Sequence, residues 1–449
     1  MRRVLAILLV LLLAGCMSPP EGPAPEAGNT TVPFVDPIIE DHEHTDLAAH
    51  NFSTPTLERL GYAHFGDDGA SFTSFGEMDT HGTLAVVAAV LRGDPVRGAA
   101  ILVDLTDPAA PKRLGYATID DATHPLDVKF DEEGEFIYVS GANEIRIFDV
   151  TNPESPVLAG LSSPVGTACH MSALGVVGGQ EYFWCTGDPI GLMAYRVVAE
   201  APGKRTLVPV RYDRPLYQVA PVTDAGTNGV IGAPHDLTFQ LDPVDGTPLL
   251  IVSNRGYGVR VLDVTNPATP QELGHWTGEG AEFPPLHMHT GMVTMIGGTR
   301  YLVVSPEILR DDETPPAIWV LDATDYAKLV LKAEWTAPGN HGSPGFTFTT
   351  HQWQVADERL YLGYYHAGVW VLDLPTILNG TYKTDPARPD VLGYYLPNEP
   401  SVVEGEMVPN VWDLNLKDGV MYVTDISSGF YVLHYLPDPI GDASLTGFS

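Results

Sequence analysis

The chain has 449 residues, and 57 aspartates and glutamates against 24 lysines and arginines give it a formal net charge of −33. This balance excludes a nucleic-acid-binding role, because neutralising phosphates requires clustered basic side chains. Hydrophobic residues make up 44% of the sequence, which excludes global disorder and supplies a full-sized core. The 45 glycines and 39 prolines indicate many turns and few long helices.

The N-terminus has the features of an export signal. Arg2 and Arg3 precede an apolar run over residues 4–14, which is too short to cross a bilayer. The run ends in Leu-Ala-Gly-Cys at Cys16, which resembles a bacterial-type lipobox whose cysteine carries the lipid. An ordinary signal peptide with a chance cysteine is the alternative. The resemblance implies an exported protein that is anchored to the membrane only by a lipid on Cys16.

Composition divides the chain into four segments. We expect a lipoprotein signal peptide over residues 1–15 and a flexible, proline-rich tether over residues 16–54. A folded body follows over residues 55–437, and a tail over residues 438–449 ends the chain.

Two cysteines remain in the folded body. Cys169 and Cys185 bracket a predicted hairpin that turns at Gly178 and Gly179. An exported compartment permits a disulfide between them, and two buried free thiols are the alternative.

The folded body contains a repeated phrase. Its clearest copies are Ile101–Pro108, Ile145–Pro153 and Val259–Pro267, each an alternating β-branched strand that ends in an Asx-Pro turn. Weaker copies end at Asp322 and Asp373. A hairpin pattern precedes each copy, so the repeating unit has four short strands.

Such units are typical of β-propeller blades, and seven of them fit into the folded body. The sequence therefore predicts an all-β fold, a seven-bladed β-propeller of four-stranded antiparallel blades. The last unit lacks its fourth strand, and residues 57–62 match the outer-strand phrase at residues 112–116. We expect residues 55–65 to supply that strand and close the ring.

The third-strand phrase resembles the LVIVD repeat, which is found in a family of extracytoplasmic β-propeller proteins mostly without assigned activity. The resemblance covers roughly residues 57–436. It implies fold and compartment rather than chemistry.

Histidines recur where the first strand of a unit is predicted to begin. The six are His81, His124, His170, His235, His289 and His351. The seventh unit has Asn410 at this position. Because the first strand of a propeller blade lines the axis, we expect these residues to meet at one mouth of the axial channel.

A ring of neutral imidazoles is a suitable site for a transition metal, with copper or zinc as the candidates. Reserve ligands near this mouth are His287, His366, Asn410 and Asp425. Structural hydrogen bonding is the alternative role for the histidines. Within a blade their partners are not the repeated aspartates that end the third strands, which we expect to cap Asx-Pro turns at the opposite rim.

Two functional hypotheses follow from these residues. The first is a lipid-anchored binding or scaffold protein with a protein or small-molecule ligand, whose axial mouth takes a metal or a small ligand. The second is a copper-dependent oxidoreductase with the metal in the histidine ring. Nitrous oxide reductase and selenium-binding-type methanethiol oxidase are propellers of similar architecture, although no sequence stretch matches either family.

Overall fold

The computed structural model describes the chain in fifteen stretches. They are residues 53–66, 70–93, 95–119, 127–141, 144–162, 169–187, 191–210, 222–223, 230–231, 234–282, 287–308, 317–337, 347–384, 387–402 and 408–437. The expected signal peptide, the lipidation site Cys16, most of the tether and the C-terminal tail lie outside these residues, as does His124.

Seven four-stranded antiparallel sheets make up the body, and each is one blade of a β-propeller. The N-terminal strand is Leu57–Ala63 (β1). From axis to rim, blade 1 consists of Phe72–His81 (β2), Leu84–Leu91 (β3), Arg97–Asp104 (β4) and Lys112–Ile119 (β5). Blade 2 consists of Asp127–Phe130 (β6), Phe136–Ser140 (β7), Ile145–Asp149 (β8) and Val157–Ser162 (β9). Blade 3 consists of Ser172–Val177 (β10), Gln180–Gly187 (β11), Gly191–Ala201 (β12) and Lys204–Pro209 (β13).

A small hairpin of Val222–Thr223 (β14) and Val230–Ile231 (β15) separates blades 3 and 4. The remaining strands of the ring are Pro234–Leu241 (β16), Pro248–Asn254 (β17), Gly258–Asp263 (β18) and Gln271–Trp276 (β19) in blade 4; Met288–Ile296 (β20), Thr299–Pro306 (β21), Ala317–Asp322 (β22) and Val330–Thr336 (β23) in blade 5; Trp353–Ala356 (β24), Arg359–Gly363 (β25), Val369–Asp373 (β26) and Val391–Tyr395 (β27) in blade 6; Val411–Lys417 (β28), Val420–Asp425 (β29) and Gly429–Tyr435 (β30) in blade 7.

The first strand of every blade lies on the axis. Strands β2, β6, β10, β16, β20, β24 and β28 contact one another in turn around a closed circle. The N-terminal strand β1 pairs antiparallel with β30, from Leu57 opposite Tyr435 to Ala63 opposite Phe430. The predicted seven-bladed propeller and its closure by an N-terminal strand are therefore confirmed.

Helical structure is minor. The helix Leu374–Asn379 (α1) is capped by the carboxylate of Asp373, and two 3₁₀ turns span Tyr326–Lys328 and Thr381–Thr384. In the stretches that the structure describes, no helix is both long and apolar enough to cross a membrane.

In five of the blades an aspartate ends the third strand and caps the segment that follows it. Asp104, Asp149 and Asp263 each accept a hydrogen bond from the backbone N–H two residues later, at distances of 2.7 to 3.0 Å. Asp322 makes the same contact, and Asp373 caps α1 instead. The sequence-based capping prediction is confirmed, so these carboxylates do not serve the axial mouth.

Glycines in the outer strands let neighbouring blades approach closely. A Cβ atom on Gly274 would overlap the backbone carbonyl of Tyr326 in the next blade. Gly115 approaches the carbonyl of Pro153 in the same way, and Gly61 on β1 approaches Pro108. These three glycines thus let the outer strand of one blade pack closely against the turn of the next.

We predict that Gly274→Ala lowers the free energy of unfolding by at least about 2 kcal/mol, because the added methyl group meets backbone that cannot rotate away. The neighbouring change His275→Ala, at an exposed side chain on the same strand, should stay within about 0.5 kcal/mol of wild type. Urea denaturation measures both. A Gly274→Ala protein as stable as the His275→Ala protein would contradict this account of blade packing.

Candidate metal site at the axial mouth

Three of the sequence-predicted histidines and one carboxylate meet at the mouth of the axis. His235 lies on β16 and His289 on β20, while His351 lies two residues before β24. Glu307 directly follows β21. The four residues are 4%, 1%, 2% and 6% exposed, so the cluster is buried.

The Glu307 carboxylate is the centre of the cluster. Its Oε2 atom lies 3.5 Å from His235 Nε2 and 3.9 Å from His289 Nε2, and its Oε1 atom lies 3.7 Å from His351 Nε2. All three imidazoles therefore present the same ring nitrogen to one carboxylate. Ligand atoms of His235, His289 and Glu307 all lie within 4.8 Å of one another.

Hydrogen bonds on the far side of two rings assign their tautomers. His351 Nδ1 lies 3.1 Å from the carbonyl oxygen of Trp412, which can only accept a hydrogen bond. His289 Nδ1 lies 2.9 Å from Thr290 Oγ1 and 3.3 Å from Asp236 Oδ2. A neutral imidazole has a single N–H, so placing it on Nδ1 leaves a lone pair on Nε2 in both rings.

Arg255 fixes the third tautomer. Its Nη2 atom lies 3.3 Å from His235 Nε2, and a guanidinium has donors only, so this nitrogen accepts a hydrogen bond. His235 thus also carries a lone pair on Nε2. The guanidinium of Arg255 is a positive group in contact with the His235 ring.

Burial sets the charge states. It lowers the pKa of His235 to about 3 and that of His351 to about 4, and it lowers the pKa of His289 well below its usual value. Burial acts to raise the pKa of Glu307, and the hydrogen bond that the Tyr365 hydroxyl donates to its carboxylate acts to lower that pKa by stabilising the ionised form. At neutral pH the cluster therefore contains neutral imidazoles around an ionised carboxylate.

Two aromatic residues contact the cluster, and two residues beside it have a strained backbone. The hydroxyl of Tyr365 donates a 2.5 Å hydrogen bond to Glu307 Oε1. The Trp412 ring packs 4.0 Å from the His351 ring, and its Nε1 donates to Glu77. Tyr365 and His287 have left-handed backbone with φ of 34° and 50°. Such strain costs energy in non-glycine residues and is concentrated at functional sites.

The structure corrects one of the predicted ring members. Strand β2 ends at His81 rather than beginning there, so His81 lies at the far end of its inner strand. Its Nε2 contacts the carbonyl oxygen of Glu132 at 3.0 Å, and the residue is part-exposed. In blade 1 the axial position near the mouth belongs instead to Glu77, whose Oε1 lies 3.7 Å from His351 Nδ1.

His170 stays next to the cluster, and the reserve residues have other contacts. The His170 ring stacks on that of His235, with centroids 4.5 Å apart. His366 Nδ1 accepts from the N–H of Thr347, and the carbonyl of His287 accepts from the N–H of Glu307. Asp425 accepts hydrogen bonds from Asn410, Ser427 and Ser428, which engage both of its oxygens in a turn.

The two cysteines form a disulfide. Cys169 and Cys185 are bonded, with Cα atoms 5.6 Å apart, so of the two possibilities left open by the sequence the structure has the disulfide. Cys169 immediately precedes His170.

Below the mouth, the axis contains a charged cavity of about 270 Å³, lined by the inner strands of all seven blades. Lys129 Nζ lies 2.6 Å from Asp127 Oδ1 there. Burial acts to lower the pKa of Lys129, but Asp127, Asp79 and Glu77 raise it above its usual value. Burial also raises the pKa of Asp413 to about 6. The cavity wall is thus rich in carboxylates.

Comparison with known proteins gives only distant structural likenesses. No family model and no curated protein matches the sequence. The chain is similar to the crystal structure of Saccharomyces cerevisiae Sqt1, at 12% identity and a TM-score of 0.48, with 82% of each chain covered. It is also similar to the computationally designed Ika8 protein, at 10% identity and a TM-score of 0.46, covering 84% of this chain and 99% of that one. The fold assignment rests on the strand topology itself.

Proposed function

We propose that the axial mouth binds a divalent transition metal through Nε2 of His235, His289 and His351 and the carboxylate of Glu307. One observation carries this proposal: three unprotonated ring nitrogens face one buried carboxylate at 3.5 to 3.9 Å. At 3.7 and 3.9 Å, His351 and His289 are too far away to donate a hydrogen bond to the carboxylate. A cation between the four groups would satisfy all of them at once.

The donor set favours zinc or copper. Imidazole nitrogens suit both metals, and a tetrahedral zinc site has ligand atoms roughly 3.4 Å apart. This is close to the 3.5 to 3.9 Å between the Glu307 oxygens and the three ring nitrogens. The second layer of contacts is also typical of a metal site. His289 is backed by Asp236 and His351 by the Trp412 carbonyl, and such partners orient ligand rings and raise their basicity.

The proposed setting is the outer side of a cell membrane. We propose that the chain is an LVIVD-type lipoprotein, anchored through Cys16, that acts as a binding or scaffold protein built around its axial metal. The lipobox-like sequence and the three clear repeat copies support this setting. The negative charge of the protein favours the approach of cations to the mouth.

We predict that purified wild-type protein binds one Zn²⁺ or Cu²⁺ per chain. His289→Ala should weaken binding on the order of 100-fold or more, because it removes a ligand whose partners are already ordered. The exposed change His275→Ala is the matched control and should bind as wild type does. Competition with a chromophoric chelator measures the affinity, and wild-type binding no tighter than that of His289→Ala would contradict the proposal.

A second variant should increase the metal affinity in the same competition assay. Arg255→Gln removes a positive charge that occupies His235 Nε2, so we expect about tenfold tighter metal binding. The metal should also remain bound at pH 5, since burial lowers the pKa of His235 and His351 to about 3 and 4. Weaker binding by Arg255→Gln would indicate that the metal does not use His235 Nε2.

The copper oxidoreductase hypothesis remains the alternative for this site. Copper-loaded protein with visible absorption that disappears on reduction and returns with oxygen would favour it over the binding role. Loaded protein without such cycling would favour the binding or scaffold role.

For the anchor, we predict that Cys16→Ser moves the full-length protein from the membrane fraction to the soluble fraction, because a lipidated cysteine is the proposed attachment. Fractionation with immunoblotting measures the shift, and wild type in the same host is the control. A Cys16→Ser protein that stays with the membrane would show that another feature retains it.

A further inference from the structure

The disulfide lies beside the histidine cluster rather than in a peripheral loop. Cys169 comes three residues before the start of β10 and is bonded to Cys185 on β11 of the same blade. Both residues are buried, with exposures of 0% and 2%. The backbone N–H of Cys169 also donates to the carbonyl of Gly141 in blade 2. The bond therefore fastens the chain at the point where it enters blade 3.

His170 is the next residue, and its ring lies against His235 at one side of the histidine cluster. Its imidazole stacks on that of His235 at 4.5 Å with an angle of 27° between the planes. Its N–H donates to the carbonyl of Thr186, the residue after Cys185. His170 is more exposed than His235, so it forms the outer layer over that ligand.

We infer that the Cys169–Cys185 disulfide is a positioning element that holds the His170 ring over His235 and thereby shields the histidine cluster from solvent. The bond fixes the residue adjacent to His170 to the strand that accepts the His170 hydrogen bond. When the bond is broken, the hydrogen bond and the ring stacking no longer have a covalent link beside them. This shielding therefore requires an oxidising compartment, where disulfides persist.

The first test needs no metal. Metal-free wild type and the Cys169→Ala/Cys185→Ala double variant are treated with diethyl pyrocarbonate, and the modified histidines are quantified by mass spectrometry. We expect His235 to react at least about fivefold faster in the double variant, because loss of local order exposes a buried side chain. His351 is the internal control, since Trp412 covers its ring from the other side of the cluster.

Unchanged reactivity of His235 would overturn the inference. An equal increase at His235 and His351 would also overturn it, because that result indicates general loosening of the mouth. Wild-type protein reduced at Cys169 and Cys185 provides the same comparison without substitutions, in case the double variant folds poorly. Thermal denaturation verifies that each sample is folded.

The second test rests on the proposed metal site and uses Zn²⁺ affinity in a double-mutant cycle. We expect loss of the disulfide and His170→Ala each to weaken binding by about tenfold, and the triple variant to be no weaker than His170→Ala. Additive effects would overturn the inference. If wild type binds no Zn²⁺, the proposed function fails, while the reactivity of His235 still decides the role of the disulfide.

Discussion

The arrangement at the axial mouth depends on one electrostatic constraint: a buried carboxylate surrounded by lone pairs. Glu307 is ionised, and the three imidazoles that face it are neutral and present acceptors rather than donors. Burying a charge is costly unless a partner compensates it. Tyr365 supplies part of that compensation by donating a hydrogen bond to the Glu307 carboxylate. A cation at its centre would supply the rest.

The remainder of the fold brings these four residues together. The three histidines come from the inner ends of blades 4, 5 and 6, and Glu307 follows the second strand of blade 5, so their geometry depends on how these neighbouring blades pack within the closed ring. Closure depends on β1 pairing with β30 and on glycines such as Gly274 that let one blade pack on the next. The propeller thus acts as a rigid frame that converts distant positions in the sequence into one cluster, as preorganised sites require.

Much of the fold could be predicted from the sequence, because each copy of the repeat specifies its own strands and turns. The Asx-Pro phrase indicates strand ends and capped turns, and fitting its four-stranded unit into the folded body gave seven blades and a missing outer strand. The alignment was wrong for His81 because its histidine precedes Gly82, which has φ of 56° in the two-residue turn between β2 and β3. Recognising that turn would have placed the start of the inner strand nine residues earlier, at Phe72, and brought Glu77 to the mouth.

The central role of Glu307 could not be predicted with the same certainty. Glu307 directly follows β21, outside the repeated phrase and outside the register that the histidines share. Which nitrogen each histidine presents depends on partners such as the Trp412 carbonyl and Arg255, which are distant in the chain or belong to other strands. These contacts join residues that are distant in the sequence, so they arise from tertiary packing and leave no local sequence pattern.

The central claim is that a metal lies among His235, His289, His351 and Glu307. Anomalous diffraction from crystals of zinc-loaded protein, recorded on both sides of the zinc absorption edge, tests it most directly. The account predicts one anomalous peak about 2.0–2.2 Å from the Nε2 atoms and from a Glu307 oxygen. A fully loaded crystal with no peak at this mouth, or with its peak elsewhere, such as beside His81, would contradict it.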